Sequence, residues 1–164
     1  MSYTYKPFDL EKWIANHYLK KGITTPSQMD IHKIARSFEI QLGFREKRSY
    51  SFTYGRSKII SIDSRLTTEE QHEQFFHELC HILRHCGSQL IMPKAFRDLQ
   101  EWDAKRFTLY AAIPFHMLKL FDLKSEYIVN EMAEAFNLDL YIVKERLNGI
   151  ARNMVVINST LFHN

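Results

Sequence analysis

The chain has 164 residues, 45% of them hydrophobic, which is enough apolar material for one domain with a real core. Its net charge of +3 and pI near 8.8 are only mildly basic, so neither nucleic acid nor a membrane surface is expected as the main partner. Met1 to Trp13 lacks a positive segment followed by an apolar run, so no signal peptide is expected. The longest apolar-rich stretch, Phe107 to Phe121, is interrupted by Pro114, His116 and Lys119 and is too short to span a bilayer. The two cysteines, Cys80 and Cys86, would lie about 9 Å apart on a shared helix, beyond disulfide reach. A reducing, cytoplasmic setting fits them.

Phe8 to Lys20 repeats Leu10, Trp13, Ile14 and Tyr18 at helical spacing, and Gly22 stops it. Thr25-Pro26-Ser27 opens a second helix over Gln28 to Phe38, with Ile31, Ile34, Ala35 and Phe38 on one side. From Ile40 the period changes to two. Tyr50, Phe52 and Tyr54 alternate with Ser49, Ser51 and Thr53, Gly55 marks a turn, and Ile59, Ile60 and Ile62 follow. This pattern predicts a β-hairpin or small antiparallel sheet between Ile40 and Ile62. Arg45, Lys47, Arg48, Arg56 and Lys58 are interleaved with its aromatics. They read better as cationic edges that discourage aggregation than as a nucleic-acid face.

Thr67-Thr68-Glu69-Glu70 is a capping box, with Thr67 as N-cap and Glu70 at the third helical position. It starts a long helix that runs to about Cys86-Gly87 and carries His77-Glu78-Leu79-Cys80-His81. Two histidines four residues apart lie about 6 Å apart along the axis and roughly 40° around it, on one face. That spacing lets both imidazoles reach one metal ion, with the intervening Glu78 placed to act on a water. On a helical wheel Phe75, Phe76, Leu79, Cys80, Ile82 and Leu83 fill one arc, and His77, His81, Gln74, Glu78 and Arg84 fill the other. Histidines packed in a core would fall on the first arc, and these do not. His72 does, as a packed side chain would. His85 lies about 12 Å along the axis from His77, too far for one ion to take all three, so it belongs behind the ligands or on the surface.

A catalytic zinc takes three protein ligands, so the third comes from elsewhere. The next helix, Lys94 to Ala112 closed by Pro114, offers Asp98, Glu101 and Asp103. Glu101 and Asp103 are about 200° apart and cannot both face one ion. The wheel leans to Asp103, which falls among Phe96, Leu99, Phe107 and Tyr110, and leaves Glu101 with Arg97, Lys105 and Thr108. Two further helices follow, over Ser125 to Phe136 and Leu140 to Asn153, and the tail from Val155 shows no pattern. With no repeats or linker, the chain reads as one mostly helical α+β domain.

These residues resemble the ImmA/IrrE family of metallopeptidases. The likeness lies in His77 to His81, then Glu101-Trp102-Asp103-Ala104-Lys105-Arg106-Phe107 and Ala111-Ala112-Ile113-Pro114, with Phe136-Asn137-Leu138 and Arg146-Leu147 echoing the family's ending. Phe76 to Arg84 is most like the ImmA proteins of integrative elements and prophages of Gram-positive bacteria. The resemblance implies a minimal zincin or gluzincin-like fold: residues 1–66 as N-terminal helices and sheet, 67–114 as the zincin core and 115–164 as C-terminal helices. It makes Glu101 the third ligand beside His77 and His81, Glu78 the catalytic base, and one Zn2+ per chain the cofactor, another divalent metal being chemically possible. The family usually has Asn or Asp where this chain has Lys105. Lysine has no acceptor with which to anchor a ligating histidine, so the anchor for His77 or His81 comes from elsewhere, with Asp98 as a candidate.

The implied activity is a zinc endopeptidase that cleaves a helix-turn-helix repressor of a mobile element or prophage and so releases its transcription. Tyr110 and His116 are available as oxyanion donors, without a choice between them. The strand near Ile59 to Ile62 offers an extended substrate a pairing edge. Two rivals come from other classes: an anti-repressor with a merely structural metal, and a DNA reader built on the helices from Ser125 to Asn153. Glu126, Glu131, Glu134, Asp139 and Glu145 make the latter a poor match for phosphates. Its plain alternative is a packed pair with Ile128, Met132, Leu140, Val143 and Leu147 as core.

Overall fold

The structure, a computed structural model, describes residues 2–85 and 91–157. In chain order it contains β1 (Ser2–Tyr5), α1 (Asp9–Lys20), a 3-10 turn (Pro26–Gln28), α2 (Ile31–Ser37), β2 (Ile40–Arg45), β3 (Tyr50–Tyr54) and β4 (Ser57–Asp63). There follow α3 (Thr68–Arg84), α4 (Lys94–Ala112), a 3-10 segment (Phe115–Leu120), α5 (Ile128–Phe136), α6 (Leu140–Arg152) and β5 (Met154–Ile157). The class is α+β, as the sequence indicates. Cys86 and the expected helix end at Gly87 lie outside the described residues.

The small sheet is mixed rather than wholly antiparallel. Gly55, at φ 58°, turns β3 back onto β4 as the expected hairpin, but β2 pairs parallel to β4, giving the order β2-β4-β3. The hairpin itself serves as the crossover that a parallel pair requires. Consequently β4 is the central strand, with Ile60 and Ile62 fully buried, and β3 is an edge. The ends of the described chain form a second, two-stranded sheet, in which Ser2 to Tyr5 pairs antiparallel with Met154 to Ile157. The sequence pattern pointed to neither strand.

Two helix starts are shifted. Thr25 and Pro26 open only the 3-10 turn, and α2 begins three residues later, where the Asp30 side chain accepts from the Lys33 amide at 2.9 Å. Similarly, α5 starts at Ile128, not Ser125, because residues 122–127 are spent on turns.

One hydrophobic cluster runs from Leu10 on α1 to Ile150 on α6. Helix α3 contributes Phe75, Phe76, Leu79 and Cys80, the arc read from the wheel, and α4 contributes Ala104, Phe107, Ala111 and Ala112. The small Ala104 lets α4 lie close along α3, and that contact brings the second helix's acids beside the first helix's histidines. The C-terminal pair packs as a core element with a different phase from that expected: Ile128, Met132 and Val143 are buried, but Leu140 is exposed. Ile142, Arg146 and Ile150 complete the inner face instead. Among the described residues no helix is long and apolar enough to cross a membrane.

Candidate metal centre

The capping box at the start of α3 forms as read. The Thr67 amide donates to Glu70 at 2.9 Å and the Glu70 amide to the Thr67 hydroxyl at 3.2 Å. From this fixed start the helical repeat carries His77 and His81 to one face, with their Nε2 atoms 3.3 Å apart. Glu101 reaches across from α4, one carboxylate oxygen 3.1 Å from His77 Nε2 and the other 3.3 Å from His81 Nε2.

Those separations can be tested against an ion. Three donors held about 2.0–2.1 Å from a tetrahedral metal stand roughly 3.3 Å from one another. The two ring nitrogens, 3.3 Å apart, and the two Glu101 oxygens, each 3.1 to 3.3 Å from one of those nitrogens, are separations of that size between groups that ligate metals. The set fits zinc.

The local electrostatics suit the same use. Burial, aided by the neighbouring His77, pushes the His81 imidazole down to about 4, against the pull of Glu101, so its ring is neutral at pH 7 and its nitrogens need lose no proton before binding a metal. Glu78, buried one helical step from His77, is held above the usual carboxylate range by desolvation, while the Ser51 hydroxyl and His77 pull the other way. A carboxyl whose proton affinity is raised in this way is better suited to accept a proton than an ordinary surface acid. Ser51 was not singled out in the sequence. Its importance comes from the phase of β3, which turns the serine toward α3 and leaves Phe52 and Tyr54 exposed and stacked outside.

Asp103 lies behind the histidines rather than among them. It receives Arg84 Nε at 2.9 Å and Nη2 at 3.4 Å, with His85 Nε2 at 3.1 Å and Arg106 3.7 Å away. Burial alone would raise its carboxyl, but the bonds from Arg84 and His85 outweigh it and hold the group below the usual range. The Nδ1 atoms of His85 and His81 are 2.9 Å apart. Cys80, His85 and Asp103 also gather their donor atoms, but desolvation holds the Cys80 thiol protonated and Arg84 already occupies the acid. The donors of that set are thus already engaged with one another and with Arg84, unlike those of the His77, His81 and Glu101 set.

Three expectations need correction. Asp98 anchors neither histidine, because it lies on the exposed side of α4 and pairs with Lys94 at 2.6 Å, one turn earlier. Tyr110 and His116 are both committed elsewhere. The Tyr110 ring packs against Phe8 and the Arg146 guanidinium, and His116 Nε2 sits 3.1 Å from the Ile23 carbonyl. The strand Ile59 to Ile62 cannot take an added strand, since β2 and β3 flank it on both sides. The edge strands are β2 and β3, and β3 is the one that carries Ser51 beside Glu78. His72 packs inside as expected, its Nε2 3.3 Å from the Asn137 amide.

Residues 27–148, which include every member of the cluster, match the IrrE N-terminal-like domain of Peptidase M78. The uncharacterized protein YqaB of Bacillus subtilis (strain 168) is 34% identical over 147 residues, covering 88% of this chain and 86% of YqaB. The phage-like element PBSX protein XkdA of the same organism is 38% identical over 114 residues, or 70% of this chain and 58% of XkdA. With a family match across that span and a relative aligned over more than four fifths of both sequences, the chain belongs to the Peptidase M78 family of IrrE N-terminal-like metallopeptidases.

Proposed function

We propose that the protein is a cytoplasmic zinc endopeptidase that cleaves a helix-turn-helix repressor of a mobile genetic element and so derepresses its transcription. The observation that carries the enzymatic part is the triangle of His77, His81 and Glu101 with the buried Glu78 beside it. The mobile-element setting is supported by the likeness to a phage-like element protein, and the reducing compartment by a buried free thiol at Cys80.

In this reading His77, His81 and Glu101 hold the ion. When bound, zinc supplies Lewis acidity, making a water easier to deprotonate and a carbonyl easier to attack. Glu78 accepts the proton as the water oxygen bonds to the peptide carbon, then delivers it to the departing amine as the C–N bond breaks. Desolvation raises the proton affinity of Glu78, which favours its part as proton acceptor. The edge of β3, next to Ser51 and Glu78, is where an extended substrate segment pairs with backbone groups that β4 leaves open.

The test is Glu78→Gln, assayed with the repressor encoded beside the gene, with and without a chelator. The enzyme reading requires zinc content to be retained and cleavage to be lost. Repressor inactivated at the wild-type rate by this variant would establish a binding anti-repressor with a structural metal instead.

A further inference from the structure

We infer that His85 and Asp103 form a positioning pair that fixes the tautomer and orientation of His81. The inference rests on His81 being a metal ligand through Nε2. A neutral imidazole that gives the Nε2 lone pair to a metal carries its proton on Nδ1, and that proton needs an acceptor. Among the described residues, His85 Nδ1 lies 2.9 Å from His81 Nδ1 and can accept that proton. For the two nitrogens to bond, His85 Nδ1 must be bare, which puts the His85 proton on Nε2. That nitrogen faces Asp103 Oδ2 at 3.1 Å, and Asp103 is steadied by Arg84 Nε at 2.9 Å.

Every link in this line therefore has one donor and one acceptor, from the guanidinium on α3 through the acid on α4 and back to the ligand. The arrangement follows from helical spacing. His81 and His85 are one turn apart, and Asp103 falls two residues after Glu101, on the side of α4 turned away from the metal face. It also accounts for the greater burial of Asp103, at 15% side-chain exposure against 41% for Glu101. Neither His85 nor Asp103 touches the reacting atoms, so their effect is exerted through His81.

The test measures zinc affinity by competition with a chromophoric chelator, alongside urea unfolding of the metal-free chain. His85→Ala is expected to weaken zinc binding by about tenfold or more, the usual cost of losing such an outer hydrogen bond. In His85→Gln the amide oxygen can accept from His81 Nδ1–H and the amide N–H can donate to Asp103, so most of the affinity should return. A purely structural role would lower the unfolding midpoint of the metal-free chain and leave zinc affinity unchanged, which overturns the proposal. Should His85→Ala fail to fold, the nitrogen-15 signals of the zinc-loaded wild type decide. Protonated Nδ1 on His81 with protonated Nε2 on His85 supports the pair, and a proton on His85 Nδ1 overturns it. A wild-type chain that takes up no zinc refutes the metal centre itself and this inference with it, whereas tight zinc binding indifferent to His85 refutes only the inference.

Discussion

Glu11 and Arg146, 135 residues apart in sequence, meet in the interior at 2.5 Å with both side chains almost wholly excluded from solvent. Glu11 also accepts from the Tyr5 hydroxyl at 2.5 to 2.6 Å and from the Phe8 amide at 2.8 Å. Arg146 donates to the Ile113 carbonyl at 3.1 Å and lies against the Tyr110 ring. The pair thus ties α1, the end of α4 and α6 together, and Tyr5 brings in the strand that pairs with β5.

Breaking a buried pair from one side leaves an uncompensated charge, at a cost of about 3–5 kcal/mol, whereas replacing both partners with apolar groups is often close to neutral. Arg146→Met is therefore expected to destabilise by about 3 kcal/mol or more, and Glu11→Leu with Arg146→Met to recover at least half of that loss. Urea unfolding of the single and double variants measures both. Additive losses in the double variant would show that each residue acts on its own.

How far the sequence reveals the molecule depends on how local each determinant is. His77, Glu78, His81 and the Thr67 cap lie on a single helix, so spacing alone places them. Glu101 is different. The wheel favoured Asp103 because a wheel reports burial, and Asp103 is the more buried of the two, but it is buried against Arg84 and His85. Only the resemblance of the second motif pointed to Glu101. Strands β1 and β5 are four residues each and owe their existence to one another across the chain, so neither shows a period of its own. The parallel β2–β4 pairing was hidden for a related reason: alternation marks strands but does not say which neighbour each takes. Arg146 looks like any exposed helix cation until Glu11 is set beside it.

The division of labour between Glu101 and Asp103 on α4 leads to a direct comparison. Glu101→Ala removes a donor from the His77–His81 triangle and should abolish stoichiometric zinc. Asp103→Asn keeps an acceptor for His85 and should weaken zinc by no more than the ~10–100-fold attributed to outer hydrogen bonds. Metal content after dialysis against a weak chelator gives the result. Loss of zinc from the Asp103 variant with retention in the Glu101 variant would put the ion on the other cluster.

The cap on α3 has a smaller, separable effect. Thr67 and Glu70 satisfy two amides at the start of the helix that carries the site, at an exposed position remote from the metal ligands. Thr67→Ala should cost about 1 kcal/mol in urea unfolding, within the range for lost N-caps. Zinc stoichiometry should be unchanged, since the histidines lie three turns further on. A fall in zinc occupancy under native conditions would mean that the early turns of α3 are coupled to the site more tightly than capping alone explains.

Acid stability of the metal-free chain tests the electrostatics of the centre through two opposing signs. His81 titrates at about 4 when folded and near 6.5 when unfolded, so its contribution is present above 6.5 and is lost as the pH falls toward 4. Glu78 is shifted upward, so its contribution is present below the usual carboxylate value of 4.5 and is lost as the pH rises through its folded pKa. The two partly cancel in the wild type over the weakly acidic range. Glu78→Gln removes the second without touching the first, and the other buried histidines, His72 and His116, remain as a constant background. The variant's stability in a chelator should therefore climb more steeply with pH above 4.5 than that of the wild type, as read from urea midpoints at successive pH values. Parallel profiles for the two proteins would mean that Glu78 is solvated like an ordinary surface acid, and the case for it as a proton carrier would lose its physical basis.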